Sequence, residues 1–285
     1  MCDVSKVLDF ILFADDTNIF FSHKNVNIIE NILNEELPNL TDWCQANKLS
    51  INFKKTNFMV FKPRQKRQTL DINLEISRCA IGRVKETVFL GVILDENLTW
   101  KPHIANVARK ISKSIGIIYK ASFCLPTSSL CTLYFSLVYP YLVYCISVWG
   151  STYPSNLNRI FLLQKKVLRI ISRSAFDAHT EPIFKQLKIL KLSDIYRSQI
   201  GKFMFSFKKG LLPDAFNEMF LLTNQIHHYN TRNSNAFYLF SCRTNIRQFG
   251  IRFQGPKLFN SFNTEIQNAD SFSQFKSKLR TFLLN

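Results

Sequence analysis

Residues 7–22 read VLDFILFADDTNIFFS, two apolar runs on either side of a short polar centre. Such runs, interrupted by turn-forming residues, predict strand, tight turn, strand, with Asp15 and Asp16 at the tip. The flanking strands look too apolar to be solvated, and two adjacent carboxylates repel in a half-buried turn unless a cation offsets the cost. A rigid hairpin carrying carboxylates also suits two-metal nucleotidyl transfer, which holds two Mg²⁺ about 4 Å apart during in-line attack. An ordinary Asp-Asp turn, favoured because Asp bonds locally to backbone, accounts for the same residues.

Outward from the hairpin, Ile29, Leu33, Leu37, Leu40 and Cys44 recur at three or four and predict a helix over 27–47, kinked or split at Pro38. A strand is expected over 49–61. Lys62 to Arg67, with four basic residues in six positions, reads as a surface loop. Further strands are expected near 70–78 and 87–94, the latter broken by Gly91.

From Trp100 the pattern becomes helical, over 101–121, 126–149, 155–174, 180–188 and 193–209. On the third of these, Leu162, Val167, Ile170 and Ile171 are expected to face the core. Residues 211–285 read as loop-rich through Arg243. They end in a helix with a Ser271-x-x-Gln274 capping box and an apolar face of Phe272, Phe275, Leu279 and Phe282. The expected class is α+β, with divisions at 1–99, 100–210 and 211–285.

Hydrophobic residues make up 46% of the 285, with 27 Phe, enough for a large core, so the chain does not read as disordered. The net charge of +17 is uneven: residues 1–60 hold five Lys against eight Asp and Glu, leaving +20 on 61–285. That block suits a polyanionic partner, nucleic acid or an acidic membrane surface, and a Lys-rich solvated surface explains it about equally well.

Seven Cys (2, 44, 79, 124, 131, 145 and 242), odd in number and without a C-x-x-C pair, predict reduced thiols rather than disulfides or zinc. His227 and His228 have no further ligand at metal spacing. Met1-Cys2-Asp3 lacks the basic start of a secretory signal, so an intracellular protein of nucleus or cytoplasm is expected, not a secreted one. Cys131 to Gly150 could span a bilayer by length. Pro140, the Tyr, Ser and Thr side chains and basic residues on both flanks favour a buried helix pair instead.

Three blocks carry a family resemblance. Phe13-Ala14-Asp15-Asp16-Thr17 between apolar strands resembles the F/Y-A-D-D turn of reverse transcriptases. Leu49-Ser50-Ile51-Asn52-Phe53-Lys54-Lys55-Thr56 is similar to that family's next block. Phe89 to Asp95, continuing through Leu98-Thr99-Trp100 and Pro102-His103-Ile104, resembles the primer grip and thumb start of non-LTR retrotransposons. Arg252-Phe253-Gln254-Gly255-Pro256-Lys257-Leu258-Phe259-Asn260 looks like the ends of jockey-type elements. The resemblance covers nearly the whole chain, in the order of the C-terminal half of such an RNA-directed DNA polymerase.

The resemblance implies a partial polymerase palm, a small antiparallel sheet with a helix, followed by a mostly helical thumb and the C-terminal region. It implies Asp15 as a direct Mg²⁺ ligand and Asp16 as its neighbour. Lys55, or Lys54, would stand near the incoming triphosphate. Phe89, Leu90, Gly91 and Val92 would support the primer end. Lys101, Arg109, Lys110 and Lys113, then Lys165, Lys166, Arg169 and Arg173, would follow the backbone of an RNA template and DNA primer.

The family's palm also needs a third carboxylate many tens of residues before the hairpin. Here only Asp3 and Asp9 precede Asp15. A catalytically incomplete remnant of a retrotransposon reverse transcriptase is therefore expected, without endonuclease or RNase H. The alternatives are a template–primer duplex-binding protein without catalysis and, remotely, a membrane protein built on 131–150.

Overall fold

The computed structural model describes residues 4–62, 72–226 and 235–285, and its packing divides into Met1–Leu98 and Thr99–Asn285. Residues 63–67 of the expected basic loop, the start of the expected 70–78 strand, Cys2, Asp3, His227 and His228 lie outside the described residues.

In the first unit, β1 (Asp9–Phe13) and β2 (Asp16–Phe20) form an antiparallel hairpin running from Asp9↔Phe20 to Phe13↔Asp16. Ala14 and Asp15 make its connection. Ala14 sits at φ 52, a left-handed conformation that a two-residue hairpin demands and that a Cβ disfavours.

Helix α1 (Val26–Ala46) is capped by the Asn25 side chain, which accepts from the Asn27 N–H at 3.0 Å. It runs unbroken through Pro38, so the expected split does not occur. Its buried Leu37, Leu40 and Cys44 gather with Ile76 and carry Phe10, Ile19 and Ile51 packed against them. Phe10 and Ile19 are cross-strand partners, so this contact seats one face of the hairpin on the helix.

The remaining strands are short: β3 (Asn57–Phe58), β4 (Glu75–Ile76), β5 (Cys79–Ala80), β6 (Gly82–Arg83), β7 (Glu86–Phe89) and β8 (Val92–Asp95). They pair as β4–β5 and β7–β8, antiparallel, and β3–β6, parallel. The expected small antiparallel sheet is thus four separate two-stranded ladders among the described residues. The expected 49–61 strand shrinks to β3. The Asn52 carbonyl accepts from the N–H groups of Lys55 and Thr56 and from the Thr56 hydroxyl, all at 3.0 Å, which closes a turn where the strand was expected. The 87–94 strand is a hairpin, because Leu90 (φ 47) and Gly91 (φ 76) are both left-handed and reverse the chain.

The second unit is helical. Trp100 at φ 62 ends the preceding segment, and Pro102 lies in the first turn of α2 (Lys101–Ala121), where its missing N–H costs nothing. Ile104, Val107, Ala108, Ile111, Ile115 and Ile118 recur on one face of α2 and are buried.

The expected 126–149 helix is three pieces: α3 (Thr127–Leu137), α4 (Tyr139–Val143) and α5 (Ile146–Trp149). The breaks fall beside Pro140 and at Cys145, whose φ is 50. Tyr134, Leu142 and Trp149 are fully buried in the core. No described helix is long and apolar enough to cross a membrane, and the reading of 131–150 as a span fails on these breaks.

Helix α6 (Pro154–Ile171) lies parallel to α2. At the start of both, the Thr99 carbonyl accepts from Thr152 Oγ1 and Asn156 Nδ2. At the end of both, Arg173 donates to the Ser122 and Leu125 carbonyls. Ile160, Gln164, Val167, Leu168 and Ile171 form its buried face. Leu162, expected inside, is 54% exposed because it lies two residues, about 200° round the helix, from both Ile160 and Gln164 of that stripe.

Helices α7 (Thr180–Gln186) and α8 (Leu192–Lys208) follow. The short α9 (Thr223–Ile226) and α10 (Asn245–Phe249) lead to α11 (Ile251–Asn260), α12 (Thr264–Gln267) and α13 (Phe272–Leu284). Both α11 and α13 pack on α8, so residues 211–285 share one core with 100–210 rather than forming a region apart.

In α13, Ser271 caps by accepting from the Gln274 N–H. Gln274 Oε1 reaches past the cap to the Asp270 N–H at 2.7 Å, one residue off the expected box. The buried face is Phe275, Leu279 and Leu283, with Phe272 and Phe282 at its exposed margins.

His103 lies buried against Trp149, their rings 5.6 Å apart. Burial, and then the nearby Lys110 charge, hold its imidazole below the ordinary value of 6.5. The unfolded chain therefore takes the proton first. The stabilising contribution is complete above the ordinary value and is lost as pH falls through the folded one. Thermal midpoints should fall on acidification from neutral pH through this window, and His103→Gln should make that descent shallower. An equally steep descent in the variant would rule His103 out as a source.

Candidate functional site

The hairpin places Asp15 and Asp16 at a strand-turn-strand apex, as the sequence predicts, but both are solvent-exposed. So are Ile11 (46%), Leu12 (46%) and Phe13 (60%), which overturns the expectation that these strands shield the turn. The reason is edge geometry: among the described residues, β1 and β2 pair only with each other.

Asp9, the nearest other carboxylate on the hairpin, sits opposite Phe20 at its far end. That is about 13 Å from the apex at about 3.3 Å per residue. The described residues hold no group of three His, Cys, Asp or Glu that could share a metal ion. Two adjacent carboxylates do not by themselves make up the carboxylate set of a two-ion site.

Lys54 and Lys55 are exposed in the turn closed on Asn52, and Ile51 ties that segment to α1, the helix that also seats the hairpin. Phe89, Leu90, Gly91 and Val92 form the β7–β8 turn, with Val92 buried. The Phe89 ring meets Phe20 edge-on at 6.3 Å. Since Phe20 lies four residues from Asp16, the Gly91 turn stands beside the base of the Asp hairpin and away from its apex.

The second unit carries the charge. Residues 99–285 hold 25 Lys and Arg against seven Asp and Glu, +18, whereas 1–98 hold 12 against 13, −1. No acidic residue occurs between Glu96 and Asp177, a stretch with ten Lys and Arg.

Lys101, Arg109, Lys110 and Lys113 are exposed along α2, and Lys166 along α6, with Lys165 half-buried. Lys110 lies over the Tyr141 ring and Lys165 over Phe161, contacts that leave an ammonium head able to meet an anion. The ion pairs among the described residues are Arg83–Glu96, Lys191–Glu181 and Arg197–Asp194, so none of these six cations is in an ion pair. Lys165 does stand in the field of Glu181, whose carboxyl the Lys191 hydrogen bond chiefly holds below its ordinary range and Lys165 lowers further.

Arg169 and Arg173 are different. Arg169 Nε donates to the Ala178 carbonyl at 2.9 Å, and Arg173 holds two backbone carbonyls, so both are committed to the fold. Sequence reading missed Lys120 and Arg159, which the acid-free stretch itself could have flagged. It also missed a second group, Lys202 of α8 with Lys276 and Arg280 of α13. Burial, then these two neighbours, lower the Lys202 pKa.

No family model matches the chain, and no solved structure does. Curated proteins do. The RNA-directed DNA polymerase from mobile element jockey of Drosophila melanogaster is 28% identical over 196 residues, 67% of this chain and 21% of that protein. The probable RNA-directed DNA polymerase from transposon BS of the same fly is 27% identical over 195 residues, 66% of this chain and 21% of the relative. That from transposon X-element is 23% identical over 185 residues, 64% of this chain and 20% of the relative. The chain spans about a fifth of the length of the curated relatives it matches. The matches cover about two thirds of this sequence, so the chain is a relative of the RNA-directed DNA polymerases of jockey-type non-LTR mobile elements.

Proposed function

We propose that this chain supplies part of a reverse transcriptase palm in its first unit and a duplex-holding thumb in its second. The observation that carries the reading is charge segregation: ten cations without an anion between Glu96 and Asp177, nine of them on α2 and α6, whose other faces fill the core. Of the ten, Arg169 and Arg173 are committed to the fold. Cations spread along rigid helices contact phosphates and read no bases. Template RNA and primer DNA are the polyanions that the names of the relatives suggest.

Two assays test this. Binding of an RNA–DNA duplex, followed by filter retention, should fall about a thousandfold between 50 and 200 mM salt if about six phosphates are neutralised. Changing Lys165 and Lys166 to Gln should flatten the log–log slope by about 2. Absence of duplex binding at low salt would remove the thumb reading.

The second assay is primer extension with Mg²⁺ and nucleotides. Two carboxylates do not complete a two-ion site, so this chain by itself should extend no more primer than its Asp15→Asn variant. Synthesis above that control would show that the Asp15 turn suffices.

A further inference from the structure

The C-terminal ends of α2 and α6 lie together because the helices run parallel. Tyr119 and Phe123 project there from the last turn of α2 and the residues after it. Their rings meet edge to face at 5.2 Å and 78°, and they are 53% and 72% exposed. Phe176, in the loop after α6, is 84% exposed, more than any other large apolar side chain among the described residues.

These rings stand on fixed backbone. Arg173 donates to the Ser122 and Leu125 carbonyls at 3.3 and 3.2 Å, tying the loop after α6 to the turn after α2. Arg169 holds the far side of that loop through Ala178 at 2.9 Å. Three exposed aromatics that cost apolar hydration thus stand on segments whose backbone two arginines tie down, and the core uses none of them.

What covers them follows from charge. Their sequence neighbourhood includes Lys113, Lys120 and Lys166, all exposed, against one carboxylate, Asp177, directly after Phe176. A second copy of this end would bring the same positive charge against it. A nucleic-acid strand brings phosphates for the lysines and flat bases for the rings. Within a duplex the bases already stack on one another, so only unpaired nucleotides have faces to offer.

We propose that Tyr119, Phe123 and Phe176 form a stacking platform for unpaired nucleotides, with Lys120 and Lys166 meeting their phosphates. The proposal rests on the reading of the second unit as a nucleic-acid interface and adds to it a single-strand site distinct from duplex contact along the helices.

The test uses the full chain and fluorescence anisotropy of two probes, an oligothymidylate of about 15 nucleotides and a blunt RNA–DNA duplex of similar length. Changing all three rings to Ala should weaken single-strand binding at least about tenfold while altering duplex binding less than about twofold. Phe123→Trp should retain single-strand affinity, and an unchanged thermal midpoint will show that the ring variant folds. Equal losses on both probes, or no loss on the single strand, would overturn the platform and leave the duplex reading standing. Failure of the parent chain to bind either probe would overturn both readings. Loss of self-association on removing the rings, without loss of oligonucleotide binding, would assign the patch to a second copy and so reject the proposal.

Discussion

Replacing Gln164 by leucine should cost the folded chain about 4 kcal/mol, although leucine nearly matches its volume and is the more apolar residue. Gln164 is fully buried in α6. Its Nε2 donates to Tyr134 Oη and to the Leu190 carbonyl, both at 2.9 Å, and its Oε1 accepts from the Leu192 N–H at 2.9 Å. One side chain therefore satisfies groups on α3, on the segment entering α8 and at the first residue of α8.

Leucine would strand the carbonyl, the N–H and the hydroxyl at once, each costing about 1–3 kcal/mol, against a partial gain from apolar burial. Urea unfolding followed by tryptophan fluorescence is the measurement, since Trp149 lies in the same core. Tyr134→Phe, which removes one partner and leaves Gln164 the other two, should cost only about 1 kcal/mol. Burial drives the Tyr134 hydroxyl well above its ordinary titration range, so it stays protonated across the accessible pH. A loss below about 1 kcal/mol for Gln164→Leu would mean that water or neighbouring side chains take over these bonds.

Phe275→Ala is the second large effect, about 3–5 kcal/mol. The ring stacks on Phe205 at 4.3 Å and 18°, and on Phe259 at 6.2 Å and 22°, so it joins α13 to α8 and α11 with no exposed surface. Truncation leaves a cavity among three helices, where only the half-exposed contact of Phe272 with Phe205 at 6.3 Å remains, among the described residues, between rings of α13 and α8. Phe282→Ala, seven residues along the same helix, should cost less than about 1 kcal/mol. Its ring is 39% exposed and rests on Phe262 at 6.2 Å and under Arg197 at 5.8 Å. Comparable losses in the two variants would mean that α13 is not anchored through Phe275. The contrast also probes whether docking of the last helix holds the second unit together.

The helices were far more legible than the strands, and the reason lies in what each kind of element needs. In α2, Ile104, Val107, Ala108, Ile111, Ile115 and Ile118 repeat locally, so the sequence contains the whole pattern. The observed ends of α2, α6 and α8 fall within a few residues of those expected. Where backbone chemistry overrides periodicity, as at Pro140 and Cys145, an apolar run reads as one helix and folds as three.

Strands depend on partners elsewhere in the chain. Nothing local to 49–61 announces that Asn52 will close a turn, or that only Asn57 and Phe58 will find a parallel neighbour in Gly82 and Arg83. The Asp15–Asp16 apex was legible because a hairpin with a polar tip is a local object. Its exposure was not, since burial depends on what lies over the strands. Of the cations expected along α2 and α6, Lys101, Arg109, Lys110, Lys113 and Lys166 are exposed and Lys165 and Arg169 half-buried. Whether a given arginine serves a ligand or the fold was not readable, and Arg169 and Arg173 serve the fold.

The β1–β2 hairpin has one more effect, on the behaviour of the purified chain. Among the described residues its two strands pair only with each other, and exposed Ile11, Leu12 and Phe13 lie along β1 without a lysine or proline on either strand to repel an incoming one. Such a rim templates strand addition, so turbidity in concentrated samples will start from the first unit while the helices of the second remain folded. Handling conditions chosen to protect that rim will decide whether the chain's chemistry can be assayed at all.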